Sequence, residues 1–596
     1  MRKTHIILSF LLLTVTTFGQ NIDQIKANRN TYIWGEGKGS TLRKANNTAL
    51  SMIISQISTE VESNFTMLKT EDSEAAESYS EQVKSVVNTY SKASLRNTEQ
   101  ILISNEPDAH VFRYIKRSEL HKIFEARKEK ILGFSYNGNK ALENLQIADA
   151  IRYYYWALTL LQSHPYGNSI KMTDAEGTEH LLSTWLPFQI KQVLAGIRMN
   201  LIKMEDRETY KLALLEITWN GKPVSNLDYS YFNGQNWSNI IGAKDGLGYI
   251  ELPTSFDKNS SIDIRTEYFF EAEAAIDNEL RDVMQEVDPI PFPASRLKIN
   301  SEVDQAVLKT ANHPTEEIVM NAVLSNPEPL AKAIGAVCQA VDGSTYESVK
   351  TYFTDDGYEI FTKLLQYGNA LVLSNDNLEF MQFGDNVVAR SVKMKFAFSN
   401  NTRAFVEDVV FTFNQKQKIQ DITFGLSQNA VSDILGQDAW KEPVRLHLID
   451  FMEHYKTAFA LKRLDYIESV FSDDALIITG WMTKPKKNPE QNYYENPIVH
   501  YNRYDKNEYL KHLSYSFKSK DYINIKFNDN EIRKSGKGGE IYGIQIQQDY
   551  FSSNYGDSGY LFLLIDMNDT TEPVIHVRTW QPEKNPDGSI YGIGDF

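Results

Sequence analysis

The chain has 596 residues, 42% hydrophobic and 23% charged, a length that calls for about three to five globular domains. Its 62 basic residues against 78 acidic ones leave a net charge of −16. No Lys/Arg block relieves that acidity, which argues against a nucleic-acid partner. A single cysteine, Cys338, excludes an intramolecular disulfide and a thiolate metal cage.

Residues 1–20 start with Arg2, Lys3 and His5, continue through an apolar run from Ile6 to Leu13 and end Phe18-Gly19-Gln20. That is the order of a secretory signal peptide, with an apolar core too short to remain as a transmembrane helix. The ending resembles export signals common in Bacteroidota-type bacteria. It implies cleavage near Gln20 and a mature chain in the periplasm or cell envelope of a Gram-negative bacterium. A lipid anchor needs a cysteine at the cleavage point, and none is there. No other stretch reaches about 18 apolar residues, so the mature chain is expected to be soluble, with no transmembrane segment.

Tyr32 to Lys38 reads as a strand ending in a glycine turn, and Ser40-Thr41 caps a helix carrying Leu42, Ala45, Ala49, Met52, Ile53 and Ile57 at spacings of three and four. Val61 to Leu68, Ser94 to Ile103 and His110 to Ile115 read as strands, giving a small α+β domain. On Trp34-Gly35-Glu36-Gly37, Ala45, Ala49 and the stretch Ile57 to Phe65, residues 28–132 resemble the lipoprotein-20 family of bacterial envelope proteins. The resemblance implies an envelope location and no established chemistry.

Ala141 to Leu161 places Ala141, Ala148 and Ala157 among aromatics before His164-Pro165. This resembles one hairpin of a tetratricopeptide repeat, within a helical segment 133–207, packed on a helix from Pro187 to Met204. From Lys211 the period becomes two. Leu212, Leu214 and the turns Gly221-Lys222-Pro223 and Lys244-Asp245-Gly246 suggest an antiparallel sandwich over 210–285, similar to immunoglobulin-like or transthyretin-like modules. Asp288-Pro289-Ile290-Pro291-Phe292-Pro293 opens an extended linker, 286–325.

The C-terminal third repeats itself. Tyr346 to Asp356 corresponds to Tyr466 to Asp474, both ending Phe-Thr/Ser-Asp-Asp. The strands near Phe396, Phe405 to Thr412 and Ile419 to Leu426 correspond to Ile541 to Tyr550, Tyr560 to Met567 and Val574 to Trp580. The order, helices then long antiparallel strands, resembles the nuclear-transport-factor-two-like (SnoaL-like) cone, a cystatin-like roll, once over 328–432 and again over 440–582. The resemblance implies a curved sheet around helices with a tapered cavity. It covers isomerases, dehydratases and cyclases as well as members without chemistry, so the fold does not decide function. The second copy is expected to differ chiefly by an insertion at 481–509.

Catalytic relatives would place an Asp or His inside the cone. The Asp355/Asp356 and Asp473/Asp474 pairs read as solvent-facing turns. His576 lies on the last strand, where alternation permits either orientation, and the second cone is expected to be filled by Phe451, Tyr455, Phe459, Ile544 and Phe562. Gly35 to Ser40 lacks the spacing of a phosphate loop, the 11 histidines are dispersed, and no cofactor, metal or catalytic residue is assigned. Aromatics beside cations in the inserted segment, Trp481 to Tyr509, suit either a recognition loop or an ordered lid. The ligand-binding candidates are His576, Tyr493, Tyr494, Tyr501 and Arg503. The chain thus reads as an exported α+β multidomain envelope protein: a small α+β domain, a helical segment, a β-sandwich and two α+β cones. It is read as non-catalytic, with a protein or envelope component as partner; an enzyme or small-ligand carrier using the second cone is the alternative.

Overall fold

The computed structural model describes residues 22–66, 98–174, 177–257, 260–300, 327–376, 378–399, 401–436, 442–482, 487–488, 493–494, 499–535, 538–553, 556–570, 572–582 and 589–596. The signal segment 1–20 and most of the linker, 301–325, lie outside them. The chain forms a multidomain α+β protein whose contacts divide into two compact units. Among the described residues no helix is long and apolar enough to cross a membrane.

The first unit runs from Ile22 to Arg127 with His164–Tyr166 and the paired short strands Lys487–Asn488 and Tyr493–Tyr494. Helix α1 (Ile22–Ala27), strand β1 (Tyr32–Gly39), helix α2 (Leu42–Thr66), strands β2 (Glu99–Ser104) and β3 (Ala109–Lys116) and the start of helix α3 (Arg117–Glu143) follow in order. The three strands pair in the order β1-β3-β2. Alternation along β1 turns Ile33, Gly35 and Gly37 toward α2. The glycines let that helix lie directly on the strand: a Cβ on Gly37 would sit 1.9 Å from the Ala45 carbonyl oxygen, and one on Gly35 2.0 Å from that of Ala49. The opposite face carries Trp34 stacked on Phe112, with the Lys26 ammonium 5.4 Å from the indole centre.

Two expectations for this unit are corrected. Val61 to Thr66 is helical, because helix α2 propagates through it and outweighs the local β-propensity of the stretch. Met52, expected on the buried stripe, is 41% exposed.

The second unit begins within α3. Helix α4 (Ile147–Gln162) buries 14 of its 16 residues, so it is a core helix and not an amphipathic surface one. It packs on helix α5 (Leu182–Gly196), with Tyr154 edge-on to Trp185 at 5.6 Å. The helix expected over Pro187 to Met204 stops at Gly196. Beyond it Ile197, Met199 and Leu201 alternate as strand β4 (Ile197–Asp206), so the 133–207 segment is not helical throughout.

Strand β4 pairs with β5 (Tyr210–Trp219), and β6 (Asn226–Tyr231), β7 (Ile240–Lys244), β8 (Leu247–Pro253), β9 (Ser261–Thr266) and β10 (Arg296–Asn300) complete one hydrogen-bonded path, β10-β9-β6-β7-β8-β5-β4. Asp245 and Gly246, with φ of 52° and 77°, form the two-residue turn between β7 and β8 that the Asp-Gly pair announces. The sheet is not confined to 210–285. It takes β4 from the preceding segment and β10 from the expected linker, and β7 pairs in parallel with a strand beyond residue 400. The described start of that linker is packed: Phe292 is buried beside Tyr155 and Tyr268, and the Ile290 N–H donates to the Tyr155 hydroxyl at 3.0 Å.

Next come helices α6 (Glu328–Asp342) and α7 (Asp355–Tyr367) and strands β11 (Asn369–Ser374), β12 (Glu379–Phe383), β13 (Asn386–Ala397), β14 (Arg403–Phe413) and β15 (Ile419–Phe424). Strands β11 and β12 both pair with β13, followed by β14 and β15. The last stretch holds helices α8 (Glu442–Ala460) and α9 (Leu464–Val470), strands β16 (Phe471–Met482) and β17 (Val499–Tyr504), helix α10 (Lys506–Lys518), and strands β18 (Ile523–Lys534), β19 (Ile541–Ser552), β20 (Gly556–Asp566) and β21 (Val574–Gln581). Its sheet order is β17-β16-β21-β20-β19-β18. The first stretch also has a 3-10 helix, Tyr346–Tyr352, between α6 and α7, and the second contains the hairpin β16-β17, whose second strand lies within the expected insertion at 481–509.

Candidate functional site

The face of the C-terminal sheet turned toward helices α8, α9 and α10 is lined on β19 and β20 by Ile544, Ile546, Leu561 and Leu563, all buried. Which residues of β21 join them is set by a bulge. Leu564 pairs with Val577 and Ile565 with Ile575, so His576 is the extra residue. Ile575 then faces inward, and after the bulge Arg578 and Trp580 do so too, opposite Leu563 and Leu561. The result is an arginine inside an otherwise apolar and aromatic layer.

Arg578 Nε donates to the Tyr455 hydroxyl of α8 at 3.1 Å, and its guanidinium lies 5.4 Å from the ring centre of Tyr509 on α10. Its Nη1 is buried without an acceptor. Burial, the first effect on this group, disfavours the cation, yet the neighbouring phenol groups and Asp557 leave it firmly protonated. Burial likewise pushes the Tyr509 phenol well above its ordinary value, so it stays neutral.

Phe451, Tyr455, Phe459 and Ile544 fill this inner side as expected. Phe562 does not: it is on the opposite face, stacked at 5.6 Å on the C-terminal Phe596. There the tail is held by Gln545, whose Nε2 donates to the Tyr591 carbonyl at 2.8 Å, and by Gln581, which accepts from the Tyr591 N–H at 2.7 Å.

The residues singled out in the sequence do not converge. His576 is 41% exposed, 3.7 Å from Asp566 and outside the aromatic layer. Tyr501, 50% exposed, and Arg503, also exposed, are on β17, paired with Gly480 and Ile478. Tyr493 and Tyr494 form a short strand with Lys487 and Asn488; their side chains lie outside the described ones. Asp355 and Asp356 occupy the exposed first turn of α7, capped by Thr354, which accepts from the Gly357 N–H at 3.0 Å. Asp473 and Asp474 open strand β16 and are not a turn; Asp473 is 99% exposed and meets Lys506. Arg578 was missed, although a cation among Ile575, Val577 and Trp580 was a visible signal.

The remaining charge of this unit forms a seam between segments. Arg403 of β14 meets Asp228 of β6 at 2.8 Å, Lys395 of β13 meets Glu251 of β8, and Lys393 meets Asp408 at 2.7 Å and Asp245 at 3.2 Å. Glu407 accepts from Lys456 of α8 at 2.9 Å and from Asn524 of β18 at 3.0 Å. Burial alone would raise the Asp408 pKa, but Lys393 and Lys244 hold it down at about 2. On α8, His454 donates from Nδ1 to the Asp450 carbonyl at 2.8 Å and from Nε2 to Asp421 at 3.1 Å. Burial disfavours the imidazolium, yet Asp450 and Asp421 raise its pKa to about 10. An imidazolium so held is a fixed cation at neutral pH, not a proton shuttle. Among the described residues no group of three or more His, Cys, Asp or Glu is arranged to hold a metal.

Fold and site together define an α+β multidomain protein with an arginine set in an aromatic layer. No protein-family model and no curated protein matches the chain. Among solved structures it is similar to Bdellovibrio bacteriovorus Bd1075, at 13% identity and a TM-score of 0.18 over 24% of this chain and 41% of that one. It is also similar to the Anabaena (Nostoc) orange carotenoid protein binding canthaxanthin, at 11% identity and a TM-score of 0.16 over 23% and 36%. The chain thus spans less than half the length of either protein, and neither likeness carries an argument about this one.

Proposed function

We propose that the chain is a non-catalytic exported envelope protein that binds or scaffolds. In this reading a signal peptide (1–20) precedes a lipoprotein-20-like domain (28–132), a middle region of helices packed on one sheet, and two nuclear-transport-factor-two-like domains (328–432 and 440–582). The partner is a protein or envelope component, and the ligand-binding candidates are Tyr493 and Tyr494 in the first unit and, in the second, Tyr501, Arg503 and His576.

The observation that carries this reading is the use of charge in the second unit. Asp228, Asp408, Glu407, Glu453 and His454 are each engaged by an opposite charge that joins separate segments, Asp408 through Lys244. Groups so held rigidify a body and are poor acids or bases. A benzophenone amino acid placed at Tyr501 in living cells, with amino-terminal sequencing of the osmotic-shock fraction, tests the proposal. A discrete heavier adduct and a start near Gln20 are expected; retained Met1 in the membrane fraction, or no adduct, overturns it.

A second reading, a small-ligand carrier or isomerase/dehydratase-type enzyme using the second cone, is favoured by Arg578 on the inner face. Chemistry would also require an acid–base pair there, so the carrier is the stronger form of this reading.

A further inference from the structure

We propose that the outer face of the C-terminal sheet is a docking site for a peptide segment of a partner protein that carries an aromatic residue, and that the chain's own last residues occupy part of it as a built-in competitor. The inference deepens the binding reading above and rests on it.

It starts from the register. Arg503 of β17 pairs with Ile478 of β16, Ile478 with Thr579 of β21, Thr579 with Phe562 of β20, and Phe562 with Gln545 of β19. Residues directly opposite each other share a face. These five side chains therefore form one row across the sheet, on the side away from helices α8, α9 and α10. At about 4.8 Å from strand to strand, Arg503 stands roughly 14 Å from Phe562. Tyr501, two residues along β17, is on the same face.

The tail covers one end of that row. Gln545 and Gln581 together hold both backbone groups of Tyr591, its carbonyl at 2.8 Å and its N–H at 2.7 Å. Phe596 lies flat on Phe562, with 10° between the rings, and a Cβ on Gly543 would sit 3.0 Å from that of Ile593. Side-chain amides that read a peptide bond accept any sequence, whereas the ring platform selects an aromatic residue. Gln581 is 1% exposed, yet none of residues 589–596 is buried. A deeply set acceptor reaching a half-exposed chain end is a site whose occupant a like peptide can replace. The other end of the face, with Tyr501 and Arg503, is exposed.

The test uses the full mature chain and a peptide of the sequence of residues 589–596, labelled with fluorescein at its amino end and followed by anisotropy. Phe596→Ser removes the ring stack of the tail and leaves the site intact. Saturable binding to that variant is expected, at least about tenfold tighter than to the unaltered chain, whose own tail competes. Adding Phe562→Ser should abolish it. No saturable binding to Phe596→Ser up to about 1 mM, equal affinity for the two chains, or binding that survives Phe562→Ser overturns the proposal. So does a concentration-dependent dimer of the unaltered chain, since the occupant is then the tail of a second copy. Should a variant not fold, hydrogen exchange on the unaltered chain decides: excess peptide should speed exchange at the Tyr591 amide, and unchanged exchange overturns the proposal. A failure here leaves the binding reading standing, because that is read from the adduct at Tyr501.

Discussion

Arg390 of β13 and Glu453 of α8 meet in a two-pronged ion pair, Nη1 to one carboxylate oxygen and Nη2 to the other, both at 2.7 Å. The same carboxylate accepts the Leu426 N–H at 2.9 Å. A strand of one sheet is thereby tied to the first helix of the next.

Removing one partner alone should therefore be severe. Glu453→Ala strands a buried guanidinium and a backbone donor, and a loss of roughly 3–5 kcal/mol is expected in urea unfolding. The double variant Arg390→Met/Glu453→Met should recover most of it. Additive losses in that cycle would contradict the pairing.

The His454 cluster makes stability fall toward alkaline pH. Its pKa is raised from 6.5 to about 10 in the folded chain. The stabilisation is therefore complete below about pH 6.5 and is lost as pH rises toward 10. Thermal midpoints followed from pH 6 to pH 10 should drop more steeply for the native chain than for His454→Gln, and parallel curves would dismiss the assignment.

Gly37 is required by contact, not by turn geometry. With Ala45 and Ala49 of α2 directly above it, Gly37→Ala should cost at least about 1–3 kcal/mol through overpacking. Faster proteolytic cleavage within residues 22–127 than in the unaltered chain checks this, while Gly133→Ala, which meets nothing within 4 Å, serves as the neutral control.

Burial pushes the Cys338 thiol up to about 12. The native protein should resist iodoacetamide at pH 8 and label fully in denaturant. Rapid native labelling would show that α6 opens.

What was legible in the sequence was periodic or local. The β-branched, aromatic and apolar runs in Phe405 to Thr412 and Tyr560 to Met567 place strands where β14 and β20 stand. Asp245-Gly246 marks its hairpin, and Trp34-Gly35-Glu36-Gly37 the strand that α2 presses on. Such signals survive because they depend on neighbours in the chain. The face presented by His576 and Arg578 does not. One extra residue in the ladder between β20 and β21 reverses the alternation, sending His576 outward and bringing Arg578 under Tyr455 and Tyr509. The same holds for the reach of the β4–β10 sheet beyond 210–285 and for the ion pairs across it. They join residues some 150 positions apart, and only packing decides which distant charge answers a buried one.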